Sequence, residues 1–378
     1  LILKNNMKPN IIFVLLDGAR YDRLKVSPEF IELLDEGTLL NNVSTAIPYT
    51  FGSVNVILTG QYGKENGVDG YYQVAGLRSE VRVLSEILQE NGYFTSRGLI
   101  NDKILSPRGF DIREDFNEYE VNLNIAHPKL IKETFEKSKG KPFFTFLQFT
   151  RIHTITVTEV LKKYEWNDER FYENIDNNMT QYDGTFQEAG EYAKMILDTV
   201  KKLGVLDNTI IVFFTDHGTG IGERFGERNY GSFTYEETIR TFYHFIGQGI
   251  KKKNISDSLR ATIDIFPTIL DLCHISNIEK ATGESFAPFL RGEEKNLKER
   301  EFTFSETGAL HGPHPSPEHS NVFCIKSPNY KLMYLKDPNK WELYDLVNDP
   351  KELENISNTG LEIEDILKEK LLEWINRL

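Results

Sequence analysis

Two apolar runs that end in acidic residues carry the side chains best suited to chemistry in this chain. Residues 209–214 lead into Asp216-His217-Gly218, and residues 9–16 lead into Asp17-Gly18. Asp supplies a hard oxygen ligand and His a nitrogen ligand, a mixture that suits Zn²⁺ or Mn²⁺. An Asp-His pair after a strand is also common as a hydrogen-bonded turn. Only the rest of the chain can decide between a metal site and a turn.

Two hydroxyl-bearing residues stand at the start of a predicted helix that Gly60 ends. Thr50 and Ser53 follow a turn at Pro48. A hydroxyl at a helix start is commonly an N-cap. Alternatively, it is a reactive group placed where backbone N–H groups and the helix dipole stabilise a neighbouring anion.

Both apolar runs must be positioned by a sheet. Short runs rich in β-branched and aromatic residues predict strands buried on both faces, and residues 141–149 form another, with Arg151 and His153 just past its end. Strands that alternate with helices predict an α/β domain with a largely parallel sheet. In such sheets the ligand crevice lies outside the carboxyl ends of the strands. The polar residues 160–185 are expected to form an excursion over this crevice, before a helix from about Glu188 to Leu203.

The length of 378 residues fits one large domain and one small one. A charged stretch at residues 291–301 is the expected linker. We therefore predict a catalytic α/β domain at residues 1–295. A small domain at 296–378 would hold a short antiparallel sheet and a terminal amphipathic helix from about residue 361.

Composition narrows the function classes. The net charge of −13 argues against a nucleic-acid-binding surface. No apolar run has the length of a transmembrane segment, and no signal peptide is visible, which favours the cytoplasm. Cys273 and Cys324 are expected to be buried free thiols, because two cysteines make no disulfide framework.

These motifs together resemble the sulfatase branch of the alkaline phosphatase superfamily. The resemblance extends over nearly the whole chain and rests on the order of several short pieces. They are Lys8-Pro9-Asn10-Ile11 before Asp17, Leu58-Thr59-Gly60, Asn91-Gly92-Tyr93-Phe94-Thr95, Leu206-Asp207-Asn208-Thr209 before Asp216-His217-Gly218, Tyr235-Glu236-Glu237, Asp264-Ile265-Phe266-Pro267-Thr268, and the tail from Glu342 to Pro350. The implied fold is a three-layer α/β/α sandwich of alkaline phosphatase type with a smaller C-terminal α+β domain.

The chain departs from the usual sulfatase pattern at the nucleophile. Sulfatases carry Cys or Ser in a C/S-x-P-x-R motif, and that residue is oxidised to formylglycine, whereas the position here is Thr50. A threonine would not yield the aldehyde. The motif's proline is replaced by Gly52. Its charged positions hold uncharged residues: Val54 for the arginine, Gly18 for the second aspartate, and Ile100 and, nearby, Gly231 for the two lysines.

A threonine nucleophile resembles that of nucleotide phosphodiesterases, phosphoethanolamine transferases and lipoteichoic acid synthases. The last two hold a single metal. The resemblance implies one divalent ion, Zn²⁺, Mn²⁺, Mg²⁺ or Ca²⁺, held by Asp17, Thr50, Asp216 and His217. A second metal site would need a further acid and two histidines. No convincing set is present, although His311 and His314 could contribute.

The resemblance also suggests roles around the metal. Thr50 would attack phosphorus or sulfur and form a covalent ester, and His153 would protonate the leaving oxygen. Arg151 could contact the anion or form a surface ion pair. His311 and His314 lie in a proline-containing loop that could line the rim of the pocket and bind substrate; the alternative is that both are ordinary surface histidines.

Three functions remain open. The first is a metal-dependent hydrolase or transferase of phosphate esters, favoured because Val54 replaces the sulfatase arginine. The second is a sulfate-ester hydrolase without formylglycine, and the third is an inactive anion-binding relative. For either enzyme the expected substrate is a small anionic ester, possibly on a glycan or lipid.

Overall fold

The computed structural model describes residues 8–73, 76–165, 168–276 and 282–377. The strands of the first sheet are β1 (Asn10–Leu16), β2 (Gly37–Ser44), β3 (Phe94–Leu99), β4 (Ile112–Asp115), β5 (Phe143–Phe149), β6 (Thr209–Phe214), β7 (Arg240–Gly247), β8 (Asn254–Ser256) and β9 (Arg260–Ala261). Those of the second are β10 (Thr303–Thr307), β11 (Val322–Lys326), β12 (Tyr330–Leu335) and β13 (Lys340–Asp345).

The helices connect and flank these strands. They are α1 (Pro28–Leu34), α2 (Thr50–Thr59), α3 (Gly63–Asn66), α4 (Leu84–Glu90), α5 (Leu123–Ser138), α6 (Arg151–Ile155), α7 (Arg170–Glu173), α8 (Ile175–Lys202), α9 (Glu236–Ile239), α10 (Ile265–Leu272), α11 (Ala287–Leu290) and α12 (Glu362–Asn376). Of the helices in the described part of the chain, none combines the length and apolarity needed to cross a membrane.

The first sheet has the order β4-β3-β5-β1-β6-β7-β2-β8, with β9 paired to β2. Strand β1 lies between β5 and β6 and is parallel to both. Within the described strands of this sheet, only β7 runs antiparallel to its neighbours. The predicted largely parallel sheet is therefore confirmed, and the carboxyl ends of β1, β5 and β6 lie side by side.

The central strand divides the core into two layers. Alternate side chains of β1 point to opposite faces. Ile11, Phe13 and Leu15 pack with residues of α2, α4 and α10, whereas Ile12, Val14 and Leu16 pack with residues of α1, α5 and α8. Helices on both faces of one sheet make the predicted three-layer α/β/α sandwich.

Helix α8 corrects the sequence interpretation of residues 160–185. The helix begins at Ile175 rather than near Glu188. Asn178, Tyr182 and Thr185 are buried at helical spacing along its inner face. The side-chain amide of Asn178 donates to two backbone carbonyls, so a polar residue fills a core position. The prediction of an irregular excursion is therefore wrong from Ile175 onward, because the polar residues there lie on a hydrogen-bonded helix face.

The second sheet is antiparallel throughout its described strands and carries the terminal helix. Leu367, Leu371 and Trp374 of α12 pack in its core. The same core includes Tyr49 and Val56, which lie beside and within α2. The small C-terminal sheet domain is thus present, while its boundary near residue 295 stays a prediction. Cys273 and Cys324 are buried and free, as expected.

A buried ionic cluster joins the two sheets. Glu236 on α9 lies 2.8 Å from the ammonium of Lys326 on β11 and 3.5 Å from that of Lys331 on β12. Lys331 also pairs with Glu352. Burial opposes ionisation of Glu236, but the two lysines hold the pKa of its carboxyl at about 2. Each charge in this cluster depends on a partner from another segment.

Replacing Lys326 with methionine should lower the free energy of unfolding by about 3–5 kcal/mol, because Glu236 would lose its nearest cation in a buried place. The stabilisation of a carboxylate whose pKa is depressed is present at neutral pH and is lost as the pH falls from about 4.5 towards 2. Urea unfolding at pH 7 measures the loss in the free energy of unfolding. Lys132→Met, at a 65% exposed pair with Glu136, is the control and should cost under about 1 kcal/mol. Equal losses in the two variants would contradict the prediction.

Candidate functional site

The carboxyl ends of β1 and β6 bring the two acidic motifs together. Leu15 pairs with Phe214 in the parallel register, so the residues that follow each strand share one edge of the sheet. The N–H of Gly18 lies 3.5 Å from Asp216 Oδ1. Gly18 has φ +75°, and a Cβ there would lie 2.8 Å from Thr219 Oγ1. Glycine at this turn therefore lets the two motifs approach closely.

Asp17, Asp216 and His217 form a buried cluster suited to a metal. One ligand atom from each residue lies within 4.8 Å of the other two. His217 Nε2 is 3.8 Å from Asp17 Oδ1 and 3.5 Å from Asp216 Oδ2. Asp216 Oδ2 is buried and has no hydrogen-bond partner among the described residues. A buried carboxylate oxygen without a partner is costly unless a cation binds it.

The hydrogen bond of the other ring nitrogen fixes the orientation of His217. Nδ1 lies 2.8 Å from the carbonyl oxygen of Gly218, which can only accept, so Nδ1 carries the proton. The lone pair of Nε2 then faces the carboxylates. Burial lowers the pKa of His217 to about 4, so the imidazole is neutral. A neutral imidazole whose second nitrogen donates to a carbonyl is the usual form of a metal ligand.

Thr50 opens α2 with its hydroxyl directed at this cluster. Its Oγ1 is 3.3 Å from His217 Nε2 and 3.4 Å from Asp17 Oδ1. The N-cap position belongs to Tyr49, and its side chain makes no capping bond. The N-cap interpretation of Thr50 is therefore wrong. The Ser53 hydroxyl donates to the Asp216 carbonyl over 2.9 Å and so holds α2 against the cluster.

Gln148 belongs to the site and was missed from the sequence. It lies on β5, where it pairs with Leu15, and its side-chain amide donates to Asp17 Oδ2 over 2.8 Å. The bond leaves Asp17 Oδ1 facing Thr50 and His217. Burial, followed by the negative charge of Asp216, raises the pKa of Asp17 to about 6. An amide near the carboxyl end of a buried, largely apolar strand was the available signal.

A cavity of about 120 Å³ opens above Thr50. His153 lines it, as expected for a group that reaches substrate. Ile100, at a position where the family pattern has lysine, lines it too. Among the described residues no lysine or arginine lines this cavity. The remaining lining residues are Asp17, Tyr49, Phe51, Tyr71, Asn101, Ile104, Gln148 and Tyr230.

Two tyrosines that the sequence did not single out form one wall of the cavity. The ring of Tyr230 lies 4.2 Å from the ring of His217 and 5.7 Å from that of His153, measured between centroids. Tyr71 packs between Tyr49 and Phe51, with centroids at 5.4 and 5.8 Å. The aromatic wall therefore contacts both the metal-binding cluster and the candidate proton donor.

The residues predicted to bind substrate are dispersed. Arg151 is exposed and pairs with Glu188 over 3.4 Å, which matches the surface ion pair considered as its alternative. His311 lines a neighbouring cavity of about 160 Å³ that shares Tyr49, Tyr71 and Tyr230. His314 lines a third cavity, beside Arg224. None of the three lines the cavity of Thr50.

The donor set fits a divalent metal. It comprises two carboxylates, one neutral imidazole and the Thr50 hydroxyl, and it includes a buried oxygen without a partner. Oxygen with one nitrogen is acceptable to Zn²⁺, Mn²⁺ or Mg²⁺, so the ligands do not select one ion.

Comparison with known proteins connects this site to a family. A family model described as Sulfatase matches residues 9–275, and one described as N-sulphoglucosamine sulphohydrolase, C-terminal, matches residues 226–377. An arylsulfatase of Clostridium perfringens is 25% identical over 93% of this chain and 91% of its own length. Other curated sulfatases align over 32% to 51% of their lengths.

Solved structures share the fold. A 2-O GAG sulfatase superposes with a TM-score of 0.82 at 20% identity, covering 98% of this chain and 92% of that one. A phosphonate monoester hydrolase from Silicibacter pomeroyi gives 0.76 at 17% identity, covering 97% and 94%. The first family model alone spans well over half of the sequence. The chain therefore belongs to the sulfatase family of ester hydrolases.

Proposed function

We propose that this protein hydrolyses a sulfate ester with Thr50 as the nucleophile. The observation that carries the proposal is the position of Thr50 Oγ1, within 3.4 Å of both Asp17 Oδ1 and His217 Nε2. A threonine hydroxyl at neutral pH is a poor nucleophile unless an adjacent group activates it. Here the Asp17 carboxylate is an acceptor within reach of its proton.

Asp17, Asp216, His217 and Thr50 would hold a divalent ion, which members of the sulfatase family generally use. When bound, such an ion acts as a Lewis acid that lowers the pKa of a neighbouring hydroxyl and offsets negative charge on the transferred group. Gln148 fixes Asp17 through one oxygen and leaves the other directed at Thr50. The hydrogen bond from Ser53 to the Asp216 backbone holds the start of α2 in place.

In the first step the Thr50 oxygen bonds to sulfur as the bond from sulfur to the leaving oxygen breaks. The Thr50 proton passes to the Asp17 carboxylate. His153, which lines the cavity, gives a proton to the leaving alcohol. In the second step water attacks the sulfur of the Thr50 sulfate ester, and Thr50 regains its proton. Of the two hydrogens of water, one returns to His153 and the other goes to solvent as sulfate leaves.

The family match supports sulfate over the phosphate preference drawn from Thr50 and Val54. The relatives matched along the chain are named as sulfatases, and one solved structure of the same fold is a GAG sulfatase. These names support a sulfated sugar as the substrate. A phosphorus monoester anion is the second candidate, because a phosphonate monoester hydrolase shares the fold. The structural likeness alone does not choose between them.

Matched aryl esters test the proposal. We expect the metal-loaded protein to have a kcat/KM at least about tenfold higher for an aryl sulfate than for the same aryl phosphate at pH 8, which is about 1.4 kcal/mol of transition-state discrimination. The kcat/KM for an aryl methylphosphonate tests the second candidate, the phosphorus monoester anion. Preference for either phosphorus ester would contradict the sulfate assignment. Measured metal content in each preparation ensures that a low rate is not a loading defect.

A further inference from the structure

We propose that the hydroxyls of Tyr71 and Tyr230 bind the non-bridging oxygens of the transferred group and restrict the site to singly charged esters. The inference rests on the proposed function, because it concerns the group attacked by Thr50. The two tyrosines act as neutral hydrogen-bond donors in a cavity whose described lining holds no lysine or arginine.

Both phenols lie on the wall of the Thr50 cavity. A phenol has one hydrogen to donate. Tyr71 and Tyr230 can therefore each offer one hydrogen to a non-bridging oxygen. Tyr49 adds a further donor on the same wall, since its buried hydroxyl has no partner among the described residues.

Tyr230 is held in place by its loop. Glu227 is buried and accepts the N–H groups of Ser232 and Phe233 over 3.1 and 2.8 Å. The Thr307 hydroxyl donates to the carbonyl of Gly231 over 2.6 Å, and this glycine has φ +91°. Hydrogen bonds therefore fix the backbone on the C-terminal side of Tyr230, so its ring stays against His217 without help from substrate.

The charges around the cavity favour a monoanion. Asp17 lines it and Asp216 belongs to the adjoining metal-binding cluster, whereas His153 is the only basic side chain among the described residues that line it. The two positive charges of a divalent ion would balance the charges of Asp17 and Asp216 and leave no excess for a dianionic ligand. A second negative charge on the substrate would meet carboxylates without a matching cation, and like charges at short range repel strongly inside a protein. Neutral hydroxyls can bind a sulfate oxygen without supplying that missing charge.

Phenylalanine variants test the role of the hydroxyls. Tyr71→Phe and Tyr230→Phe should each lower kcat/KM for an aryl sulfate by about 10- to 100-fold, the usual effect of losing one hydrogen bond to a charged group. Binding of the same aryl sulfate, a monoanion, to the metal-loaded Thr50→Ala protein, followed by calorimetry, should weaken by a similar factor when either change is added. Metal content should stay unchanged. Tyr72→Phe, at a 61% exposed neighbour, is the control and should change neither measurement.

The pH dependence of a substrate ratio tests the charge selectivity. An alkyl phosphate loses its second proton near pH 6, whereas a sulfate ester remains a monoanion. The ratio of kcat/KM for sulfate over phosphate should rise about tenfold per pH unit above pH 7 and level off below about pH 5.5. Asp17, Tyr49, His153, Asp216 and His217 face the cavity or the metal-binding cluster, and a change of charge on any of them acts on both esters, so it largely cancels in the ratio.

The outcomes separate this inference from the proposed function. Full activity of Tyr71→Phe and Tyr230→Phe, with sulfate still hydrolysed through Thr50, would overturn the role of the tyrosines alone. A ratio that does not vary with pH would overturn the charge selectivity. Absence of any sulfate hydrolysis by the metal-loaded protein would instead overturn the proposed function.

Discussion

Thr50→Ala should reduce kcat on the substrate ester by about 10⁶-fold, the scale seen when the nucleophile of an enzyme that forms a covalent intermediate is removed. The Thr50 oxygen is the attacking atom, and alanine leaves no atom in its place. The stability change should be small, about 1 kcal/mol or less, because Thr50 is not the N-cap and alanine favours helices. Steady-state kinetics together with thermal unfolding measures both effects.

Two further variants make the Thr50 experiment decisive. Thr50→Ser keeps the hydroxyl but loses the methyl group that restricts χ1, so partial activity is expected. Thr59→Ala removes a buried hydroxyl at the other end of α2, where it bonds to the Asn55 carbonyl, and should leave kcat nearly unchanged. If Thr50→Ala retained full activity, the covalent mechanism would be refuted.

Asp216→Asn should weaken metal binding by about 100-fold or more. The change removes a formal charge from a buried ligand, and even changes to the outer partners of metal ligands cost about 10- to 100-fold. Without metal the variant should be more stable than the parent protein, because two buried carboxylates, Asp17 and Asp216, no longer repel. Metal addition should then raise the melting temperature of the parent more than that of the variant.

Elemental analysis and metal-dependent melting curves measure this effect without reference to turnover. Asp207→Asn is the matched control, since Asp207 is an exposed carboxylate at the opposite end of the same strand. Its metal content and its metal-dependent stabilisation should equal those of the parent. Equal metal occupancy in Asp216→Asn and Asp207→Asn would remove Asp216 from the proposed ligands.

The sequence predicted the fold and the centre of the site for a physical reason. Buried parallel strands are recognisable in a sequence as apolar runs. The residues that follow each run must lie at the same edge of the sheet. Asp17 and Asp216-His217 were placed together by that rule, and the register of β1 with β6 agrees. Thr50 came from the family resemblance, since its local sequence allowed a capping role equally well.

The rest of the site depends on contacts that no local pattern records. Tyr71 and Tyr230 come from distant loops, and only the packing of those loops brings their rings to one wall. The hydrogen bond of Gln148 to Asp17 could not be predicted, because Gln148 lies within a largely apolar strand. Helix α8 was predicted too short because buried polar residues such as Asn178 satisfy their hydrogen bonds within the core. In each case tertiary contacts, rather than periodicity, determine the role of the residue.

Helix α2, which carries Thr50, packs against the first sheet and also against the second. Val54 and Ile57 pack with the first sheet, while Val56 packs with the second. A rocking motion of one sheet against the other would therefore strain α2 at residues 54–57, just after Thr50. Because α2 is fixed to both sheets, a hinge between the sheets would displace the nucleophile. Substrate entry is therefore expected to depend on movements of side chains and loops. Partial separation of the sheets would be a route to irreversible inactivation rather than a step of the catalytic cycle.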